Sequence, residues 1–238
     1  MSTPLVNAGV SGIVSPYPVQ AAVDRYVLAL KTPQKLLGLH PRTRGGTGNA
    51  MALHPAVVLT SISAFEGFAE EFTALMMAHQ GLPLSSIAKA VGKWNNPTLQ
   101  DLKDALTGQF PLASSALGTG ADVEIMVYKT TKATTPRKQL KTWSETLKMS
   151  QSWMEVRHNL THGLATGWRA EHWGRPLTPN VPPAVDVLRD HGSGEHSIGL
   201  GGAISCARVY SVGAKVIADA VSAPYGQQLD WSNLPLFA

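Results

Sequence analysis

Six consecutive residues, Arg157-His158-Asn159-Leu160-Thr161-His162, carry the side chains that phosphate-ester chemistry needs. A guanidinium grips phosphate oxygens through a planar fork, and an imidazole takes up and returns a proton near neutral pH. His158 and His162 are four apart, hence on one face of a helix, whereas Arg157 is rotated by about 140° from His162 at 100° per residue. A long arginine spans that offset only in part, so one copy of the segment makes an incomplete site. The carbonyls at a helix end favour a cation, which suits His162 to act as the proton carrier. In the plain structural alternative, Arg157 pairs with an acid such as Glu155 or Glu66, His162 bonds backbone carbonyls, and His158 is a surface residue.

A second, lower-ranked candidate is Arg189 with His196, in the run Arg189-Asp190-His191-Gly192-Ser193-Gly194-Glu195-His196. Gly192 and Gly194 break a helix there, and the segment reads as a turn. Cations gather ahead of the first motif at Lys129, Lys132, Arg137, Lys138, Lys141 and Lys148, with Glu145 the one intervening acid. Such a run is either a solvated helix start or a surface that meets a polyanion, with Lys138, Lys141 and Lys148 as its contacts. Trp168 and Trp173 beside Arg169, His172 and Arg175 form an aromatic and basic mix on which bases can stack, with loop anchoring as the alternative and Arg169 as the proposed contact. His172, His191 and His196 with Glu171 and Glu195 contain no pair at the i, i+4 spacing of a helical metal site, so no metal is predicted.

Positioning these groups falls to helices. Val23, Val27 and Leu30 predict a short helix over 19–31 that Pro33 ends. The stretch HPRTRGGTGN at 40–49 reads as a basic glycine-rich loop and lacks the lysine of a nucleotide-binding P-loop. Val58, Ile62, Phe65, Ala69, Phe72 and Met76 predict a long amphipathic helix over 56–78 whose other face carries Glu66, Glu70 and Glu71, solvated carboxylates in the plain reading and site residues in the alternative. Two shorter helices follow at 84–94 and 97–106. Residues 107–136 read as a long insertion with at most a short strand at 122–128. A second long helix is predicted over 137–162, with Leu140, Trp143, Leu147 and Met154 on its buried side and Gly163 just past its end. A Trp/Pro-rich loop at 168–183 precedes a last helix at 203–221. The expected fold is all-α: a helical bundle with long irregular insertions, in two parts, an N-terminal arm at 1–53 and a helical domain at 54–238.

The spacing Arg, polar residue, three residues, His, near the end of a bundle helix resembles the signature of HEPN ribonucleases, R-x(4-6)-H, with His158 as the polar residue. The helix ahead of the motif, the small residue Gly163 after it and the final helix are similar to HEPN bundles of the RiboL-PSP type, in outline over about 54–222. With nine arginines and eight histidines in 238 residues, a His five after some Arg is expected about 0.3 times by chance, and roughly 0.03 times with Asn, Asp or His second. The resemblance implies a metal-independent endoribonuclease without cofactor, whose site forms across the axis of a homodimer. In it Arg157 holds the phosphate, His162 shuttles protons, and His158 or Asn159 orients a group or the RNA. It also implies a toxin or antiphage role, with a neutralising antitoxin or other regulatory protein as partner. The alternative is a non-catalytic helical module that binds RNA or protein.

Composition sets bounds. A net charge of +4 permits a polyanion but does not demand one. One cysteine, Cys206, excludes an internal disulfide, and a reducing compartment follows. The start, small and proline-broken, has no signal-like h-region, so a cytoplasmic protein with no membrane partner is expected.

Overall fold

A computed structural model describes residues 18–42, 48–127, 137–176 and 179–238. With 62% helix against 9% strand the class is all-α. At its centre stands α2 (Leu53–His79), covered on one side by α1 (Gln20–Gly38) and on another by α7 (Leu200–Ser222). Val58, Ile62, Phe65, Ala69, Phe72 and Met76 are all buried, as their spacing predicts. Phe68 and Met77 are buried too, because two neighbours cover more than one stripe. The span Asn49–His79 is long and apolar enough to cross a membrane by length and composition. Its aromatic residues meet the fold's own core instead, with Phe68 stacked on Tyr26 of α1 and Phe65 against Tyr210 of α7.

Helix α1 does not stop at Pro33 but runs on to Gly38. A proline inside a helix costs about 3 kcal/mol, and here the buried Pro33 ring and Leu37 gain apolar contact in return. Its Val23, Tyr26 and Leu30 belong to the same core as α2, so the described part of 1–53 is not an arm standing apart.

Two short helices, α3 (Leu84–Val91) and α4 (Leu99–Gln109), lie near their expected places, and α4 opens with a Thr98/Asp101 capping box. The stretch expected as an insertion is integrated into the core in its described part. It holds α5 (Ser114–Thr119) and strand β1 (Val123–Val127), with Phe110, Leu117, Val123 and Ile125 buried. The predicted helix over 137–162 is corrected at its start. Residues Arg137–Lys141 form strand β2, antiparallel to β1 with Glu124 opposite Leu140, and Leu140 is 62% exposed rather than buried. Helix α6 begins at Trp143, after a capping box in which Thr142 accepts from the Glu145 N–H and the Glu145 carboxylate accepts from the Thr142 N–H.

The buried face of α6 carries Trp153 and Val156, and polar bonds fix its height. Buried Tyr210 of α7 donates its hydroxyl to the Ser150 carbonyl at 2.8 Å, and the Leu99 N–H of α4 donates to the Ser150 hydroxyl at 3.2 Å. Between α6 and α7 the chain forms a hairpin, β3 (Arg189–Gly192) with β4 (Glu195–Ser197), where the sequence suggested only a turn.

Candidate functional site

Helix α6 ends at Thr161 in a Schellman motif. Gly163 has φ +67°, the Leu164 N–H donates to the Asn159 carbonyl at 2.9 Å, and the Gly163 N–H donates to the Leu160 carbonyl at 3.3 Å. Two of the carbonyls that the sequence assigns to attracting a cation are thus closed by backbone. Asn159 is buried on the core side, its amide donating to the Glu155 carbonyl at 2.8 Å. It stands against the returning loop, since a Cβ on Gly174 would lie 3.3 Å from its Oδ1. Leu160 abuts the same loop near Gly167 and Ile198. The middle of the hexapeptide therefore fastens the helix end.

Its outer residues differ. At 100° per residue His158 and His162 lie roughly 160° and 120° from buried Val156, on the outward face of α6. His158 is half-buried, His162 is exposed, and their rings sit 4.3 Å apart at an interplanar angle of 50°. Arg157 leaves the helix on the flank toward α2. There its Nη2 lies 3.3 Å and 3.4 Å from the two carboxylate oxygens of Glu66, with side chains 21% and 18% exposed. Glu66 is thus a partner of the motif, not a solvated carboxylate. Burial lifts its carboxyl above the ordinary value; Arg157 opposes that shift and Glu70 adds to it.

The predicted cations are dispersed and largely answered by acids. Lys138 is exposed on β2 and bridges Glu124 at 3.1 Å; Lys141 bridges Glu145 at 3.1 Å. Glu124, which the β1–β2 register brings beside the basic strand, also takes Arg208 at 2.9 Å, and Lys138 foremost holds its carboxyl below the ordinary value. Lys148 is exposed on α6 and, with Met126, Met149 and Arg189, lines a groove of about 840 Å³. Lys129 and Lys132 lie outside the described residues. Arg169 is exposed with its guanidinium 4.1 Å from the Trp168 ring centroid, whereas Trp173 anchors the loop by donating Nε1–H to the His196 carbonyl at 3.1 Å.

The second candidate is not brought together. In the β3–β4 register Arg189 pairs with Ser197 and Asp190 with His196. Side chains alternate across a strand, so Arg189 and His196 point to opposite faces of the ribbon. His196 instead lies 4.0 Å from the Asp190 carboxylate and turns Nδ1 toward the Gly194 carbonyl at 3.2 Å.

Two further residues hold this end together: Glu171, which the sequence raised only as a metal ligand, and His54, which it did not single out. The Glu171 carboxylate accepts from the Thr166 N–H at 2.9 Å and the Gly167 N–H at 2.5 Å. Buried His54, at the start of α2, donates Nδ1–H to the Ile198 carbonyl at 2.8 Å, and burial depresses it to a pKa of about 4. Its stacking on His40 at 5.1 Å shows its place in the fold, which no local pattern signals. No protein-family model, curated protein or solved structure matches the chain.

Proposed function

We propose that the chain is a metal-independent endoribonuclease of HEPN type. The observation that carries this reading is the end of α6: an arginine held at a fixed place by Glu66, beside two imidazoles on the outward face of one rigid helix. The outward face suits a composite site. A second copy related by a two-fold axis brings its own Arg157 and His162, so that two incomplete sets become one with two phosphate-binding and two proton-carrying groups.

The ribose 2′-hydroxyl attacks the adjacent phosphorus while His162 of one copy accepts its proton. The 5′-oxygen leaves with a proton from His162 of the other copy. Arg157 stabilises charge on the pentacoordinate phosphate, and His158 orients the neighbouring imidazole. The products are a 2′,3′-cyclic phosphate and a 5′-hydroxyl, and DNA is not cut. Arg169, stacked on Trp168, and exposed Lys148 are the proposed RNA contacts outside the cut. A toxin or antiphage role in the cytoplasm, restrained by a neutralising protein, follows from the resemblance alone.

One observation favours a second reading, a non-catalytic module that binds RNA or protein. Glu66 already neutralises the guanidinium that a phosphate would need. The test is incubation with RNA in EDTA, wild type beside Arg157→Ala and His162→Ala, with end-group analysis and RNA-binding anisotropy. Cyclic-phosphate ends from the wild type alone, with near-normal binding by folded variants, support the enzyme. Intact RNA with every protein while binding persists supports the module.

A further inference from the structure

Six of the eight histidines have a ring nitrogen engaged. His54 donates to the Ile198 carbonyl, His172 and His196 turn to the Gly194 carbonyl, His191 meets the Ser197 hydroxyl, His79 meets Gln227, and His40 accepts from the Arg42 N–H. Only His158 and His162 find no hydrogen-bond partner among the described residues; each ring's neighbour is the other. They are also the pair at i, i+4, about 40° apart around the helix and about 6 Å along it. The helix that carries them is rigid: Tyr210 and Leu99 bond it at Ser150, and the Schellman motif locks its end. One ring is half-buried and the other exposed, so the pair is open to solvent.

We propose that His158 and His162 are a two-imidazole chelate for a divalent transition ion of the zinc class, and that filling it inhibits the site described above. The binding rests on geometry alone, while the inhibition rests on the ribonuclease reading. Imidazole nitrogens suit Zn²⁺, Co²⁺ and Ni²⁺, whereas Mg²⁺ and Ca²⁺ take oxygen ligands. The neighbouring cation that would repel such an ion, Arg157, is answered by Glu66. No third His, Cys, Asp or Glu joins the pair among the described residues, so water or a second copy completes the shell. An ion there ties up the lone pairs that proton transfer uses.

Untagged protein, stripped with EDTA and dialysed, is titrated with Zn²⁺ by calorimetry and with Co²⁺ by visible absorption. Wild type is compared with His158→Gln, His162→Gln and, as a control on another paired histidine, His172→Gln, each checked for folding by circular dichroism. The expected result is saturable Zn²⁺ and Co²⁺ binding that is lost in both α6 variants, kept in His172→Gln and absent with Mg²⁺. In the same preparations RNA cleavage should fall roughly tenfold at Zn²⁺ ten times its dissociation constant and return with EDTA. Equal zinc binding by wild type and the α6 variants, or none by wild type, overturns the chelate. Cleavage in EDTA without zinc binding sinks this proposal and leaves the ribonuclease standing; zinc binding by a protein that never cuts RNA sinks the ribonuclease and the inhibition, and leaves the chelate.

Discussion

The ion pair between Arg157 and Glu66 ties the end of α6 to the middle of α2, and its worth follows from its geometry. At 3.3 Å two unit charges attract by about 5 kcal/mol at an effective dielectric of 20 and about 1.3 kcal/mol at that of water. Both side chains retain about a fifth of their exposure, so the pair lies between surface and interior. Burial opposes the charged carboxylate and outweighs the pull of Arg157. Set against one another, these place the coupling at about 2 kcal/mol near pH 7. The perturbation is a double-mutant cycle, Glu66→Gln, Arg157→Gln and both, read by urea unfolding. Because the Glu66 carboxyl is raised, the fold binds its proton more tightly than the unfolded chain does. That contribution is full below the unfolded value and is lost as pH rises through the folded one, so Glu66→Gln should flatten the wild-type decline there. At pH 4.5, the ordinary value, more than half of Glu66 is protonated in the fold, and the coupling should shrink. A coupling under about 0.5 kcal/mol at pH 7, or one unchanged at pH 4.5, refutes this account of how the motif is held.

Two further perturbations test the supports of the site. His54, 5% exposed and depressed from 6.5 to about 4, is bound neutral by the fold, so its stabilisation is full above about pH 6.5 and is lost on acidification toward pH 4. Over that window the linkage amounts to about 3 kcal/mol. His54→Asn, which keeps a donor for the Ile198 carbonyl, should lose correspondingly less stability between pH 7 and 4.5 in urea titrations; an unchanged pH slope contradicts the reading. Thr142→Ala removes the cap of α6 and should cost about 1 kcal/mol, or about 2–4 °C in Tm. Hydrogen exchange should quicken at the first-turn amides, Glu145 above all, and unaltered protection there would show that the capping box is not what starts the helix.

Helices α2 and α7 were legible from their apolar spacing to within about three residues, because one pattern sets both the helix and the face it buries. Helix α6 was legible at its end, where Gly163 marks the stop, and misread at its start. Leu140, Trp143 and Leu147 fit a helical stripe, yet the local signal that contradicts it, Thr142-x-x-Glu145, was present in the sequence. What holds Arg137–Lys141 extended is pairing with β1, a contact across the chain that no window of residues contains. The same holds for the charges. The basic run looks unopposed along the sequence because Glu124 reaches it only through the strand register, whereas Glu66 was one of two acids the sequence offered to Arg157, and the fold selects it across 91 positions. The motif's residue types were readable; their partners belong to the fold.

That division bears on what the end of α6 can do. Asn159, Leu160 and Gly163 are occupied in closing the helix and docking the returning loop, and Arg157 is occupied with Glu66. Only the two imidazoles remain uncommitted, on the face turned away from the core. A phosphate approaching this face would meet the two imidazoles first and reach the guanidinium only by competing with a carboxylate. Burial has already made that carboxylate reluctant to stay charged, which lowers the cost of displacing it. In the proposed ribonuclease, a phosphate brought in by RNA, with charge from a second copy across an axis, would take the place of Glu66 on Arg157. On that proposal the same pair would hold the arginine at rest and give it up to an incoming phosphate, a role that a fully buried bridge or a fully solvated one could not fill.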